Sequence, residues 1–431
     1  MKRNVLIVNT GSIYSDNATG ITLRSIFQKL DMSKCLEVSW DVDINDASRE
    51  IQIVRPHYSR YSIANLLLRC KRGGVNKAIK AKASVPQETT KQKKMLTYLR
   101  QYFALVPDQC KLYFSKEAIA RIDSFSPDVI YTLGGSVNAL RVSYELSKRY
   151  NIPIVVHHMD NWVHCIQWED NTLLTTYKKE LRAICSKCYG RTTQCIAISD
   201  GMAEVYTRET GVKHVAIMNS IDCSAMHCNK VSHGGFRFVY AGGMHLERHK
   251  ALLDFAEAVE SYNNKSIGVK AEFAIYTGQD NITAFGSFFK ELRFTTLYPA
   301  VPHDQIKQIY ENADALIHVE SATVLNSDFF KYSISTKIPE YLSTGRPVIF
   351  YGPDTLYLYK FLEQNGIAAV VKERRQLEET ISTFTHQPES IVKITMYAQR
   401  YAEEHFNAIN ASKTLEYVLE STQLPKGLEQ A

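Results

Sequence analysis

Short apolar runs recur along the chain, separated by stretches whose apolar residues return every three or four positions. Val5–Val8, Leu36–Trp40, Pro127–Thr132, Asn151–Val156, Cys195–Ser199 and Val215–Asp222 read as strands, with helices over Ile21–Leu30 and Val137–Tyr150. A run that is apolar at every position, such as Val5-Leu-Ile-Val8, is buried on both faces, as in a parallel sheet covered by helices. Cys223 to Gly235, with two glycines and few large aliphatics, reads as a linker. The pattern then restarts with strands at Phe236–Tyr240, Ala271–Tyr276, Leu297–Pro302, Asp314–Glu320, Pro347–Phe350 and Ile367–Val371, and helices over Ala251–Tyr262 and His303–Asn312. A long amphipathic pattern from Ile391 to Glu420 ends the chain. Alternating β and α in two successive halves predicts an α/β protein with two doubly wound, Rossmann-like domains, residues 1–228 and 229–400, followed by a helical segment 401–431. At 431 residues the chain exceeds what one core supports.

The most informative stretch is Lys331 to Pro353. Pro339 is tolerated only in the first turn of a helix and Gly345 suits a helix end, so Thr336–Thr344 form about two turns capped by Ser335 or Thr336. The free N–H groups of such a start favour an anion. Lys337 and Glu340, three residues apart, share one face. A cation beside an anion site, with a carboxylate one turn on that can accept from two neighbouring hydroxyls, suits a nucleoside diphosphate and its ribose.

Two glycine-bearing turns follow strands. Asn9 to Gly20, containing Gly11, Ser12 and Gly20, lies where α/β sheets place ligands, but its glycines do not fit the G-x-G-x-x-G pattern of a dinucleotide cofactor. Ala241 to Lys250 brings Gly242 and Gly243 and then Arg248 and Lys250, cations able to meet a diphosphate. His157-His-Met-Asp-Asn-Trp162 ends another strand, and there His158 or Asp160 could position or deprotonate an acceptor hydroxyl. Glu320, at the end of its strand, is a candidate for a sugar hydroxyl.

Composition narrows the classes. With 51 basic against 45 acidic side chains the net charge is +6, too mild to imply nucleic acid. Nine scattered cysteines read as reduced, buried thiols; neither the 185/188 and 223/228 pairs nor Asp41-Val-Asp43 with Asp46, a solvated turn, has the pattern of a metal site. No apolar run reaches the roughly 20 residues that span a bilayer. The expectation is a cytoplasmic protein. Between Arg69 and Arg100 ten lysines and arginines face one acid, Glu88, and Tyr98, Tyr102, Phe103, Leu105 and Val106 follow. This basic insertion, residues 69–106, suits an anionic membrane surface.

The string S-T-K-I-P-E-Y-L-x-x-G-R-P-V-I from Ser335 to Ile349 resembles the donor-site motif of GT-B glycosyltransferases, in particular family 4. The I-A-I-S-D-G-M stretch ending at Met202 and the N-x-I-D stretch ending at Asp222 are similar to others of that family. Two positions depart from it: Tyr332 stands where a first glutamate is usual, and Gly243 where the G-R-L-x-x-x-K pattern has its first cation, the second being Arg248. The resemblance implies a GT-B fold, its two domains facing a central cleft and its C-terminal helix crossing back to the first. It also implies transfer of a sugar from a nucleoside-diphosphate sugar to a lipid-linked or saccharide acceptor, retaining and without a metal or other cofactor, in bacterial envelope polysaccharide assembly. In that reading Arg248 and Lys337 neutralise the diphosphate, Glu340 holds the ribose and the backbone near Val301 meets the base. The loop with Gly11, Ser12 and Gly20 then faces the cleft. A nucleotide-sugar 2-epimerase of the same fold, or a non-catalytic scaffold in polysaccharide assembly, are the alternatives.

Overall fold

The computed structural model describes residues 1–15, 17–40, 51–70, 91–164, 172–222, 234–302, 305–321, 328–386 and 388–427. The Asp41 to Asp46 turn, most of the basic stretch, Cys223 and Cys228 with most of the linker, and the start of the His303 helix lie outside these residues. The chain divides into two α/β units. Its described residues up to Ser220 and from Ala408 form the first, and Ile221–Asn407 the second.

The first unit is built on a parallel seven-stranded sheet. Its strands are β1 (Val5–Val8), β2 (Cys35–Val38), β3 (Gln52–Val54), β6 (Val129–Leu133), β7 (Ile154–His158), β8 (Gln194–Ala197) and β9 (Lys213–Ala216), in the order β3-β2-β1-β6-β7-β8-β9. A short antiparallel pair, β4 (His57–Tyr58) and β5 (Leu112–Tyr113), belongs to an insertion between β3 and β6. All four β1 residues are fully buried, because helices cover both faces of the sheet. Helices begin at caps written in the sequence. Ser136 accepts from the Ala139 N–H to open Val137–Tyr150, and Ser199 from the Met202 N–H to open Asp200–Thr210.

The second unit has a parallel six-stranded sheet: β10 (Phe236–Ala241), β11 (Ala271–Thr277), β12 (Thr295–Pro299), β13 (Ala315–Val319), β14 (Val348–Tyr351) and β15 (Ala369–Val371), in the order β12-β11-β10-β13-β14-β15. Phe238, Phe273 and Ile317 of its strands form its core with Phe255 of the Arg248–Lys265 helix.

Each strand order reverses direction once. In the first unit the chain winds outward from β1 on one side and from β6 on the other; in the second it does so from β10 and β13. Loops that leave two such neighbouring strands at their carboxyl ends splay apart, which opens a crevice.

One expectation is corrected at the C-terminus. The Ile391–Glu420 pattern is two helices, Pro388–His405 and Ala408–Ser421. Between them Phe406 is fully buried and Asn407 pairs with Ile221 in a parallel bridge, so tertiary pairing breaks a pattern that is continuous in period. The last helix belongs to the first unit: Leu415, Val418 and Leu419 share a core with Leu23 and Ile26, and Ser412 Oγ donates to the Ile26 carbonyl at 2.8 Å.

Candidate functional site

The crevice of the second unit collects five charged or titratable side chains from three elements. After β10 the chain passes through Gly242-Gly243 and then through Leu246 and Glu247, both with positive φ (57° and 62°), before the Arg248–Lys265 helix starts. Two successive non-glycine residues in the left-handed region cost of order 1–3 kcal/mol each, and such strain persists where surrounding contacts fix it. Here it delivers Arg248 into a buried position. Its Nε donates to Glu320 Oε2 at 2.9 Å and its Nη2 to Glu320 Oε1 at 2.8 Å, a two-pronged pair. Glu320 follows β13, so this pair ties together the two strands that flank the crevice.

The remaining groups pack around that pair. His318 Nε2 lies 3.1 Å from Glu320 Oε1, Arg248 Nη1 donates to His245 Nε2 at 3.3 Å, and the guanidinium lies 5.2 Å from the centre of the Phe330 ring. Burial pushes the Glu320 carboxyl up, but Arg248 and His318 outweigh it and hold its pKa at about 2. Burial lowers the His318 pKa, against the pull of Glu320 beside it.

Lys337 enters from the other side. Its ammonium lies 4.9 Å from the centre of the Tyr240 ring and against the bare Cα of Gly242, where a Cβ would fall 1.7 Å from Nζ. Gly242 is therefore glycine because the lysine head occupies the space of its side chain. Burial first, then the charge of Arg248, push the Lys337 pKa down to about 7, with Glu320 and Glu340 opposing. A cation so destabilised in the free protein gains most from an anion placed beside it.

The Lys337–Ser343 helix sits as the sequence suggests, with Pro339 in its first turn and Gly345 at φ 72° beyond its end. The expected side-chain cap is not formed. Thr336 has helical φ and ψ and no capping bond, and Ser335 Oγ reaches the Lys337 N–H only at 3.5 Å. The reason is local: the third helical position is Pro339, which has no N–H, and the Ile338 N–H is taken by the Ser335 carbonyl at 3.1 Å. Glu340, half-buried, accepts from Tyr310 Oη at 3.3 Å.

The other expected residues fall differently. Glu320 is buried, and its carboxylate is engaged by Arg248 and His318. Lys250 points to solvent and pairs with Glu247. Gly243 accepts from Tyr240 Oη at 2.7 Å through its carbonyl. Val301 is half-buried just after β12, following Ala300, whose N–H donates to the Thr277 carbonyl at 2.8 Å.

The first unit's crevice lies between the loops after β1 and β6. Ser12 is buried and its Oγ donates to Glu37 Oε2 at 2.8 Å, while the Ile13 N–H donates to Oε1 at 3.1 Å. Glu37, an acid inside the apolar strand β2, thus fixes the loop. Gly11 is partly exposed there. Gly20 is a packing glycine: a Cβ would fall 2.0 Å from the Ser15 carbonyl oxygen.

The strand β7 runs two residues further than its apolar run, so His157 and His158 are strand residues and both are buried. His157 Nδ1 bonds Tyr131 Oη at 2.6 Å and His158 Nε2 bonds Tyr189 Oη at 2.8 Å. Burial pushes His157 down to about 3 and His158 well below its usual value. His158 lies against Gly134, where a Cβ would meet Nδ1 at 2.4 Å. Its placement is that of a core ring, contrary to the expectation of an acceptor-facing base. Asp160, beyond the strand end, is half-buried.

Sequence reasoning did not single out His245, Tyr240 or Glu37. Only Glu37 left a signal, a lone carboxylate in an otherwise apolar strand.

No protein-family model matches the chain, and no curated protein matches its sequence. Solved structures match it along its whole length, and they define the class of fold: the two-sheet α/β architecture of GT-B glycosyltransferases. Anabaena HepE, solved in complex with UDP and glucose, aligns with a TM-score of 0.61 at 14% identity over 97% of this chain and 100% of that one. The sucrose-phosphate synthase of Thermosynechococcus elongatus aligns at 0.61 and 12% identity over 96% and 98%. The lipopolysaccharide outer core galactosyltransferase WaaB aligns at 0.57 and 14% over 97% and 99%.

Proposed function

We propose that the chain is a glycosyltransferase that moves a sugar from a nucleoside-diphosphate sugar to an acceptor hydroxyl. The observation that carries this reading is the convergence of Arg248 and Lys337 beside the bare Gly242 turn, at the switch point of the second sheet. The solved structure of HepE with UDP and glucose supports it, as a likeness of fold.

In the reaction the bond between the anomeric carbon and the diphosphate oxygen breaks, and negative charge grows on the leaving diphosphate. A pair of cations, a guanidinium held in place by Glu320 and an ammonium already strained by burial, stabilises that growing charge more than the charge of the ground state. These two side chains supply the electrostatic need, so the reading assigns no metal or cofactor. Glu340 accepts from the ribose hydroxyls, the turn after β12 near Val301 meets the base, and the N–H groups at Ser335 and Thr336 approach the phosphate. The acceptor hydroxyl bonds the anomeric carbon on the face the diphosphate leaves, retaining configuration, and its proton passes to the leaving phosphate oxygen. Asp160, rather than the buried His158, orients the acceptor. The acceptor is saccharide or lipid-linked, the setting cytoplasmic assembly of an envelope polysaccharide, and an anionic membrane surface the place where a lipid-linked acceptor is met.

Titration calorimetry with UDP, GDP and their sugars tests the reading. The wild-type chain is expected to bind one nucleotide class, and Glu340→Ala to weaken it by roughly tenfold, the loss of a carboxylate that bonds two hydroxyls. Absence of binding by the wild-type chain to every nucleoside diphosphate tried would remove the donor site.

A further inference from the structure

We infer that His245 is a third diphosphate-binding side chain of the donor site and takes up a proton as the nucleotide sugar enters. This rests on the transferase reading and gives a role to a residue that reading leaves unused.

Space is the first observation. The turn after β10 has two glycines, and each leaves its side-chain volume to a nitrogen of another residue. A Cβ on Gly242 would fall 1.7 Å from Lys337 Nζ, and one on Gly243 would fall 2.4 Å from His245 Nδ1 and 2.7 Å from its Cε1. Neither approach is possible for a real Cβ, so both positions need glycine while these two groups stay where they are. Tyr240 Oη donates to the Gly243 carbonyl at 2.7 Å and holds the turn in place. The imidazole thus lies on the same turn as the ammonium, and its residue is exposed to solvent.

The bond to Arg248 is the second. Arg248 Nε and Nη2 are committed to Glu320, and Nη1, the third nitrogen, donates to His245 Nε2 at 3.3 Å. The backbone repeats the contact: the Arg248 N–H donates to the His245 carbonyl at 3.3 Å, across the left-handed pair Leu246 and Glu247. A guanidinium only donates, and a ring nitrogen that accepts from it carries no proton. In the free protein His245 is therefore neutral, with its hydrogen on Nδ1.

Charge is the third. His245 faces the cations Arg248 and Lys337 and, opposing them, Glu320, while Glu247 on its own turn is engaged by Lys250. Desolvation first, then Arg248 and Lys337, lower the His245 pKa, and Glu320 raises it. A diphosphate among these groups reverses the balance. Its oxygens accept from Arg248 Nη1, which frees Nε2; a proton from solvent binds Nε2, and the imidazolium donates to the phosphate. One proton passes from water to the ring, and no bond of the donor changes in this step. The imidazolium then adds positive charge where the leaving diphosphate gains negative charge.

Titration calorimetry of the full chain with UDP-glucose and GDP-mannose tests this, at about pH 6 in two buffers of different ionisation heat, so that the protons taken up are counted. The phosphates of a nucleotide sugar are esterified on both sides and do not titrate there, and Lys337, with its pKa of about 7, is already mostly charged. The wild-type chain is expected to take up protons on binding, and its affinity to rise from about pH 7 to about pH 5.5. His245→Asn should lower the uptake and flatten that rise. It should weaken binding near pH 6 by roughly three- to tenfold, one charge-assisted contact, and less at about pH 8. Gly243→Ala, whose methyl displaces the ring and leaves the histidine in the chain, should act in the same direction. Equal melting temperatures would show the folds intact. Binding by wild type without proton uptake overturns the proposal, as does a His245→Asn chain with wild-type uptake and pH profile, or one whose loss of affinity is the same at both ends of the range. In each of these cases the donor site stands. Failure of the wild-type chain to bind either nucleotide sugar would remove the donor site itself, and the part of His245 with it.

Discussion

In both units a glycine pair follows a strand at the switch point and a side chain from another element lies against it. In the second unit that side chain is the Lys337 ammonium against Gly242; in the first it is the His158 ring against Gly134. The same local device, removal of a Cβ, makes room for a charged group in one crevice and for a neutral core ring in the other. Around Lys337 stand Arg248, Glu320 and Glu340, while around His158 stand Tyr189, Tyr206 and His214. The difference teaches that one topology separates labour: the second crevice is organised by charge, whereas the histidines of the first are packed as neutral rings of the core.

The largest effect should come from breaking the charged pair. Arg248→Ala leaves Glu320 buried beside His318 with no cation in contact and should destabilise the protein by about 3–5 kcal/mol, besides weakening nucleotide binding. Urea denaturation measures it, and a loss below about 1 kcal/mol would show that the pair is not an isolated buried one.

The two glycines give the sharper contrast. Gly134→Ala pushes a methyl into a ring enclosed by core, so a loss of about 1–3 kcal/mol in stability is expected. Gly242→Ala meets the far end of a flexible lysine, which can swing away. Stability should hold and nucleotide binding fall by roughly tenfold, one charge-assisted contact. If both alanines acted on stability alone, the proposed division between the crevices would fail.

Acidity should act on the first unit. His157 and His214 are pushed by burial to about 3 and about 4, and His158 well below its usual value, whereas the unfolded chain takes up protons near 6.5. Their contribution is fully present above pH 6.5. It is lost as pH falls toward the folded values, by up to about 1.4 kcal/mol per pH unit for each ring. Lys337 works in the opposite sense on binding: above about pH 7 the free protein loses that ammonium, and nucleotide affinity should fall as pH rises. Stability and affinity measured between pH 5 and 8.5, about two units either side of neutrality, separate the two trends.

The smallest effect belongs to Lys250. Its pair with Glu247 is exposed, so Lys250→Ala should leave calorimetric affinity within roughly twofold of wild type. A tenfold loss would put Lys250 back beside the diphosphate.

The alternating strands and helices and the first-turn Pro339 were legible in the chain, because hydrophobic period and backbone chemistry act over a few residues. So was the grouping of Lys337 with Glu340, one turn apart. The partners of those side chains were not. Arg248 meets Glu320 because β10 and β13 are neighbours in the sheet, and Lys337 meets Gly242 because its helix packs over β10; neither follows from spacing. His157 and His158 looked like the start of a loop, but the sheet extends β7 over them and buries both. The break at Phe406-Asn407 is likewise set by a remote partner, Ile221. Local forces decided what each segment would become, while strand order, a property of the whole fold, decided which charges would share a buried space.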